Sequence, residues 1–118
     1  MRPWSDRLIT DCKELLQPLP SELLRLLPHP YAVLGAPYGR DADPFRLRSG
    51  VVRRLLDAQT WLQQSQPELR FAIFDAWRPI PVQAFMVDHS IAELCRERGV
   101  VLRSGHAFDQ VVADVGRF

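Results

Sequence analysis

The chain has 118 residues, a formal net charge of +1 at pH 7, 47% hydrophobic residues and 25% charged residues. These proportions exclude a disordered chain, and the length predicts a single domain over residues 1–118. The apolar runs are shorter than the roughly 18 residues of a membrane span, and no apolar signal stretch follows Met1, so we expect a cytoplasmic protein without a membrane partner. The balanced charge argues against a nucleic-acid partner.

The first 48 residues are predicted to form a proline-rich arm. Six of the ten prolines fall between Pro18 and Pro44. Proline fixes φ and has no N–H to donate, which favours an extended chain over a long helix or a central strand. One short helical turn is predicted over residues 21–27, where Ser21 can cap the start and Pro28 ends the turn.

Residues 49–118 show the regular spacing of a helix-strand-helix-helix unit. Apolar residues at helical spacing predict a helix over 51–64 whose buried stripe includes Gln59. A second helix is predicted from near Ile80 to just before Gly99, and a third from about Ala107. Nothing caps the end of the third helix, so we expect its apolar stripe to remain open for self-association.

Residues 69–75 are predicted to form a strand. From Phe71 to Phe74 both alternating faces are apolar, which is typical of a strand covered on both sides. A strand needs neighbours for its N–H and C=O groups, and the candidates are residues 31–34 and 100–102. The sequence therefore predicts an α/β or α+β unit whose helices pack on a small, incomplete sheet.

Asp75 and Arg78 follow this strand directly, at the position where α/β folds present reactive groups. An arginine stays charged at working pH and offers several donors in one plane, so Arg78 can stabilise an oxyanion formed during acyl transfer. Asp75 can hold the orientation of Arg78. The alternative is an ion pair that only braces the loop.

Four other features are candidates of a weaker kind. Tyr38 can line a substrate cleft, because loops on a rigid scaffold often do, or it can be a packed tyrosine with a hydroxyl partner. His29 is predicted to pack or hydrogen-bond in the arm and not to bind metal. His89 is predicted to be a satisfied core residue on the apolar stripe of its helix. The basic run from Arg46 to Arg54 is predicted to be a solvated face.

Several segments, in this order and spacing, resemble the N-terminal half of the D-alanyl-D-alanine dipeptidase family, the zinc metallopeptidases that include the vancomycin-resistance dipeptidases. The segments are His-Pro-Tyr at 29–31, Leu-Gly-Ala-Pro-Tyr at 34–38, Pro-Phe-Arg-Leu-Arg at 44–48 and Phe-Asp-Ala-Trp-Arg-Pro-Ile-Pro-Val-Gln at 74–83. The chain resembles the cyanobacterial type in particular, which shares Phe-Met-Val-Asp at 85–88. The similarity extends from about Asp11 to Phe118.

The resemblance implies the α+β, DD-peptidase-like fold of that family. It also implies hydrolysis of the dipeptide D-alanyl-D-alanine in cell-wall metabolism, by a zinc-bound water with a glutamate as general base. Of the family's catalytic residues only the arginine transfers to this chain. It is Arg78, in the motif Asp-x-Tyr-Arg-Pro, which here reads Asp-Ala-Trp-Arg-Pro at 75–79, with Trp77 in place of the tyrosine.

The zinc motifs of the family are not found in the sequence. The first is Ser-x-His-x-x-Gly-x-Ala-x-Asp; Ser104 to His106 fits its opening, but Asp109 stands where glycine belongs and Ala113 replaces the ligand aspartate. The second motif, Glu-x-x-His, does not occur. A catalytic zinc needs three protein ligands. Because the zinc motifs are not found, we predict that this chain has no metal ligands and no activity. The resemblance implies that the chain is a truncated domain. The alternative is a non-catalytic fragment that dimerises or binds a partner through exposed apolar helix faces.

Overall fold

The computed structural model describes residues 8–117. Within this range the chain forms four helices and two sheets of two strands each, which confirms the α+β class. None of the helices in this range is long and apolar enough to cross a membrane. The elements are β1 (Leu16–Pro18), β2 (Leu24–Arg25), α1 (Pro30–Val33), β3 (Arg46–Arg48), α2 (Ser49–Ser65), β4 (Ala72–Ile73), α3 (Ile80–Arg98) and α4 (His106–Val115).

Two strand pairings fix the proline-rich arm. Strand β1 pairs antiparallel with β3, and β2 pairs in parallel with β4. The helical turn predicted over residues 21–27 is therefore wrong: the N–H groups of Leu24 and Leu26 donate to the carbonyls of Phe71 and Ile73, at 2.9 and 2.8 Å. The only helical turn that the structure describes in the arm is α1.

The strand predicted over residues 69–75 is confirmed only for Ala72–Ile73. Its neighbour is β2, so both predicted neighbours are wrong: residues 31–34 lie largely in α1, and residues 100–102 form a loop. The prediction of two covered faces is wrong as well. Ile73 packs against the core, but Phe74 is 50% exposed, so the apolar run does not mark a doubly covered strand here.

The hydrophobic core connects the arm to the helix-strand-helix-helix unit. Leu19, Leu23 and Phe45, all 3–4% exposed, form its centre. The side chains packed around them come mainly from α2 and the β4 segment: Leu47, Leu55, Leu56, Phe71 and Ile73. Helix α2 lies close to its predicted bounds, and Gln59 on its stripe is buried as predicted.

Gln59 bridges the arm and the strand segment from inside this core. Its side-chain nitrogen donates to the carbonyl of Glu22, and its side-chain oxygen accepts from the N–H of Phe71, both at 2.8 Å. An amide suits this position because it can donate and accept at the same time. Gln59 is therefore a structural residue that satisfies two backbone groups.

We expect Gln59→Leu to lower the free energy of unfolding by about 3 kcal/mol, because two backbone groups lose their partners inside the protein. The matched control is Gln64→Leu, at an exposed position of the same helix, for which we expect a change within about 0.5 kcal/mol. Urea unfolding of both variants measures the difference. Equal stability of the two variants would contradict the bridging role.

Helices α3 and α4 pack against each other at the end of the described chain. Helix α3 spans Ile80–Arg98, and Gly99 after it has a φ of +67°, the left-handed conformation that favours glycine at this position. Val111 of α4 is fully buried. The expectation of an open stripe on α4 is therefore wrong for Val111, whereas Val112 is 41% exposed. Phe118 lies outside the described residues.

A salt bridge between Arg98 and Asp114, 2.8 Å long, joins these two helices. The hydrogen bond from Arg98 lowers the pKa of Asp114 from its usual value of 3.8. When folding lowers the pKa of a carboxyl, the charged carboxylate stabilises the folded state at any pH above the pKa that this group has in the unfolded chain. This stabilisation is lost as the pH falls through the pKa that the group has in the folded protein. The contribution is therefore lost below about pH 4.

Urea unfolding measured from pH 7 to pH 2 is expected to show a smaller loss of stability on acidification in Asp114→Asn than in the wild type. The asparagine keeps the size of the side chain but has no proton to gain. An identical pH dependence in the two proteins would mean that Asp114 does not couple folding to protonation.

Candidate active site

The loop between β4 and α3 carries Asp75 and Arg78. Two contacts of Trp77 fix this loop: its N–H donates to the carbonyl of Pro44 at 3.1 Å, and its ring lies 4.1 Å below the guanidinium of Arg46. Pro79 then precedes the first residue of α3, in an extended conformation with a φ of −64°. Arg78 is thus held between a packed aromatic residue and the start of a long helix.

Three side chains contact the guanidinium of Arg78. Asp75 forms an ion pair with Nη2, and the hydroxyl of Tyr31 lies 3.1 Å from the same nitrogen. The side-chain oxygen of Gln83, in the first turn of α3, accepts from Nη1 at 2.9 Å. The guanidinium carbon also lies 4.9 Å from the centre of the Tyr31 ring, within the range of a cation–π interaction.

The local electrostatics favour the charged form of Arg78 further. Burial works to lower the pKa of Arg78, but the hydrogen bond and the charge of Asp75 outweigh it, so the pKa is raised above its ordinary value. The side chain of Arg78 is 33% exposed and that of Asp75 is 18% exposed. One carboxylate oxygen of Asp75, Oδ1, is buried and has no hydrogen-bond partner among the described residues.

Arg78 faces a cavity of about 250 Å³ between the Tyr31 ring and helices α3 and α4. The residues around it are Tyr31, Arg78, Gln83, Met86, Val87, Ser90 and Val115. The cavity combines a cationic group, a hydroxyl and an amide with the apolar side chains of Met86, Val87 and Val115. A second cavity, of about 630 Å³, lies beside His29 and Phe45 and does not include Arg78.

Tyr38 lines neither of these cavities. It is 8% exposed, and its hydroxyl lies 3.4 Å from Nε2 of His29. Burial raises the pKa of Tyr38, and the negative charge of Asp75 adds to the effect, so its hydroxyl stays protonated at neutral pH. This environment fits the packed alternative, and a substrate-binding role for Tyr38 remains a prediction.

His29 is buried and caps helix α1, so the prediction that it hydrogen-bonds within the arm is confirmed. Its Nδ1 atom accepts from the N–H groups of Tyr31 and Ala32, at 3.2 and 3.3 Å. The other ring nitrogen, Nε2, lies 3.4 Å from the hydroxyl of Tyr38. The cap places Tyr31 one residue inside α1, and from there its hydroxyl reaches Arg78.

The described residues do not fit a zinc centre. Within residues 8–117 no three side chains of histidine, cysteine, aspartate or glutamate come together. Nδ1 of His29 is occupied by backbone donors, and His89 stacks on Phe85 with its Nε2 atom 3.6 Å from Glu93. His106 is an exposed residue at the start of α4.

Sequence reasoning found Asp75 and Arg78 but missed Tyr31 and Gln83. Tyr31 lies within the segment that carries the resemblance, so a signal was present, but its contact with Arg78 joins residues 47 positions apart. Gln83 lies five positions after Arg78, and only the course of the chain through Pro79 brings their side chains together.

The basic run from Arg46 to Arg54 is only partly a solvated face: Arg46 stacks on Trp77, whereas Arg53 and Arg54 are exposed.

Comparison with curated proteins found a clear relative. The chain is 43% identical over 101 residues to the D-alanyl-D-alanine dipeptidase of Synechocystis, which is 85% of this chain and 40% of the length of the relative. A match of this length within 118 residues includes Tyr31, Asp75 and Arg78 wherever it begins. No protein-family model and no solved structure matches the chain. The predicted resemblance is thus confirmed: over most of its length this chain is related to a cyanobacterial D-alanyl-D-alanine dipeptidase.

Proposed function

We propose that this chain carries the arginine part of a D-alanyl-D-alanine dipeptidase site, with Arg78 as its transition-state stabiliser. The observation that supports the proposal best is the position of Arg78 in the 250 Å³ cavity, inside the region shared with the Synechocystis relative. The reaction is hydrolysis of the dipeptide D-alanyl-D-alanine in cytoplasmic cell-wall metabolism, and the complete site depends on zinc.

The contribution of Arg78 is electrostatic. Attack on the scissile carbonyl places negative charge on its oxygen, and a guanidinium that is already oriented stabilises that charge without reorganising. The ion pair with Asp75 supplies the orientation. A single donor of this kind typically lowers the barrier by about 3–4 kcal/mol.

The 118 residues alone are proposed to be inactive. The chain spans 40% of the length of the relative, and residues 8–117 bring no three metal-binding side chains together. Arg78 can stabilise an oxyanion but cannot generate the nucleophile that forms it.

The test is a chimera in which this chain replaces the matching region of the Synechocystis dipeptidase. Release of D-alanine from D-alanyl-D-alanine is measured for the chimera and for the 118-residue chain, each with and without added zinc. The proposal expects zinc-dependent hydrolysis by the chimera and none by the chain alone. A folded chimera that does not hydrolyse the dipeptide, or turnover by the chain alone, would contradict it.

A second candidate function, self-association, is favoured by apolar side chains on the surface. Val101 and Leu102, 88% and 73% exposed, line one cavity after α3. The radius of gyration is 18.1 Å, against about 13–14 Å for a compact domain of this length. Light scattering on a size-exclusion column at 100 μM is expected to give the mass of a dimer if these residues form an interface; a monomer would exclude it.

A further inference from the structure

We propose that Tyr31 is a positioning residue that holds the guanidinium of Arg78 by its ring and its hydroxyl. The inference deepens the proposed function and rests on it for the role of Arg78. The hydroxyl oxygen of Tyr31 lies 3.1 Å from Nη2, and the ring centre lies 4.9 Å from the guanidinium carbon. One side chain therefore contacts Arg78 at two points, through its hydroxyl and through its ring.

Two N–H groups of the Arg78 guanidinium have no partner among the described residues. Nη2 is occupied by Tyr31 and Asp75, and Nη1 has one bond, to Gln83. A guanidinium has five N–H donors, so Nε–H and the second N–H of Nη1 have no acceptor within residues 8–117. Tyr31 and Gln83 therefore limit which donors of Arg78 are offered to a ligand in the cavity that all three residues line.

Tyr31 is itself held in place from the arm. Its N–H donates to His29, and its ring lies 5.7 Å from the His29 ring in an edge-to-face arrangement. A tyrosine on a capped helical turn keeps few rotamers, so its hydroxyl is pre-positioned before any ligand arrives. A residue of the arm thus orients an arginine that lies 47 positions later in the sequence.

The direct test is nitrogen-15 NMR of the Arg78 guanidinium in the 118-residue chain, assigned by the loss of its signals in Arg78→Lys. We expect separate Nη1 and Nη2 signals in the wild type, because the three partners slow rotation of the group. Tyr31→Phe keeps the ring but removes the hydroxyl, and rotation is expected to become at least about fivefold faster, since one bond to a charged donor is lost. Tyr31→Leu removes the ring as well and is expected to change the chemical shift of Nε–H.

The control is Ser65→Ala, which removes a hydroxyl that is bonded to Leu62 at the end of α2 and lies outside the Arg78 cavity. Its guanidinium signals are expected to match the wild type. Unchanged signals in Tyr31→Phe, or equal changes in both variants, would overturn the proposal. Thermal unfolding of each variant is recorded alongside, so that a loss of fold is recognised.

The kinetic test uses the chimera. Tyr31→Phe is expected to lower kcat roughly tenfold and to leave KM within about twofold, because orientation of Arg78 matters most in the transition state. A rise in KM at constant kcat would show that Tyr31 binds substrate directly, which contradicts a positioning role. An inactive chimera would refute the proposed function, and the NMR result would then decide alone whether Tyr31 holds Arg78.

Discussion

Arg78→Lys in the chimera is expected to lower kcat by about 10²–10³, the largest effect on activity that the site predicts. Lysine keeps the positive charge but lacks the planar set of donors, so it cannot contact Asp75, Tyr31 and an oxyanion in the same geometry. The steady-state rate of D-alanine release measures the loss.

The matched control is Arg54→Lys, at an exposed position of α2 outside the cavity, for which we expect wild-type kcat. Circular dichroism of each variant shows whether the fold is kept. If Arg78→Lys retains full kcat in a folded chimera, Arg78 does not stabilise the transition state, and the ion pair with Asp75 only braces the loop.

Phe45→Ala is expected to lower the free energy of unfolding of the 118-residue chain by about 3–5 kcal/mol. Phe45 is 3% exposed and lies between the arm and the helical unit, where it contacts the guanidinium of Arg25 and the ring of His29. Its loss leaves a cavity in the only core cluster of the described residues. Against a total stability of roughly 5–15 kcal/mol for folded domains, this is a large loss that urea unfolding resolves readily.

The matched control is Phe74→Ala, since Phe74 is 50% exposed and its truncation is expected to change stability by about 1 kcal/mol or less. Urea unfolding followed by tryptophan fluorescence and by circular dichroism gives both values. Because Phe45 belongs to a core shared by residues 1–48 and 49–118, we propose that these two parts unfold together as one domain. Separate transitions for the two probes, or equal effects of the two substitutions, would contradict this.

Helices whose limits are set by local chemistry were predictable from the sequence. Helix α3 starts at Ile80 because prolines surround its first turn, and it ends before Gly99 because only glycine takes the left-handed φ there at little cost. The buried stripe of α2 follows from its spacing, including Gln59. In each case the signal lies within one or two turns of the chain.

Strand pairing was not predictable in the same way. Strand β2 has two residues and no apolar alternation to mark it, and it exists because Leu24 and Leu26 find carbonyls about 47 positions later in the chain. Such short strands depend on tertiary contacts more than on their own propensity. The same reason hid Tyr31 from sequence reasoning: its role is defined by Arg78, which only the folded arm brings near.

The position of Arg78 relative to a developing oxyanion can be measured directly in a crystal structure of the chimera, grown with zinc and a phosphinate analogue of D-alanyl-D-alanine. A phosphinate oxygen occupies the place of the oxyanion. We predict that a guanidinium nitrogen of Arg78 lies about 2.7–3.1 Å from that oxygen, with Tyr31 and Asp75 still in contact with the arginine. An analogue bound with Arg78 turned away from the phosphinate oxygen would contradict the account.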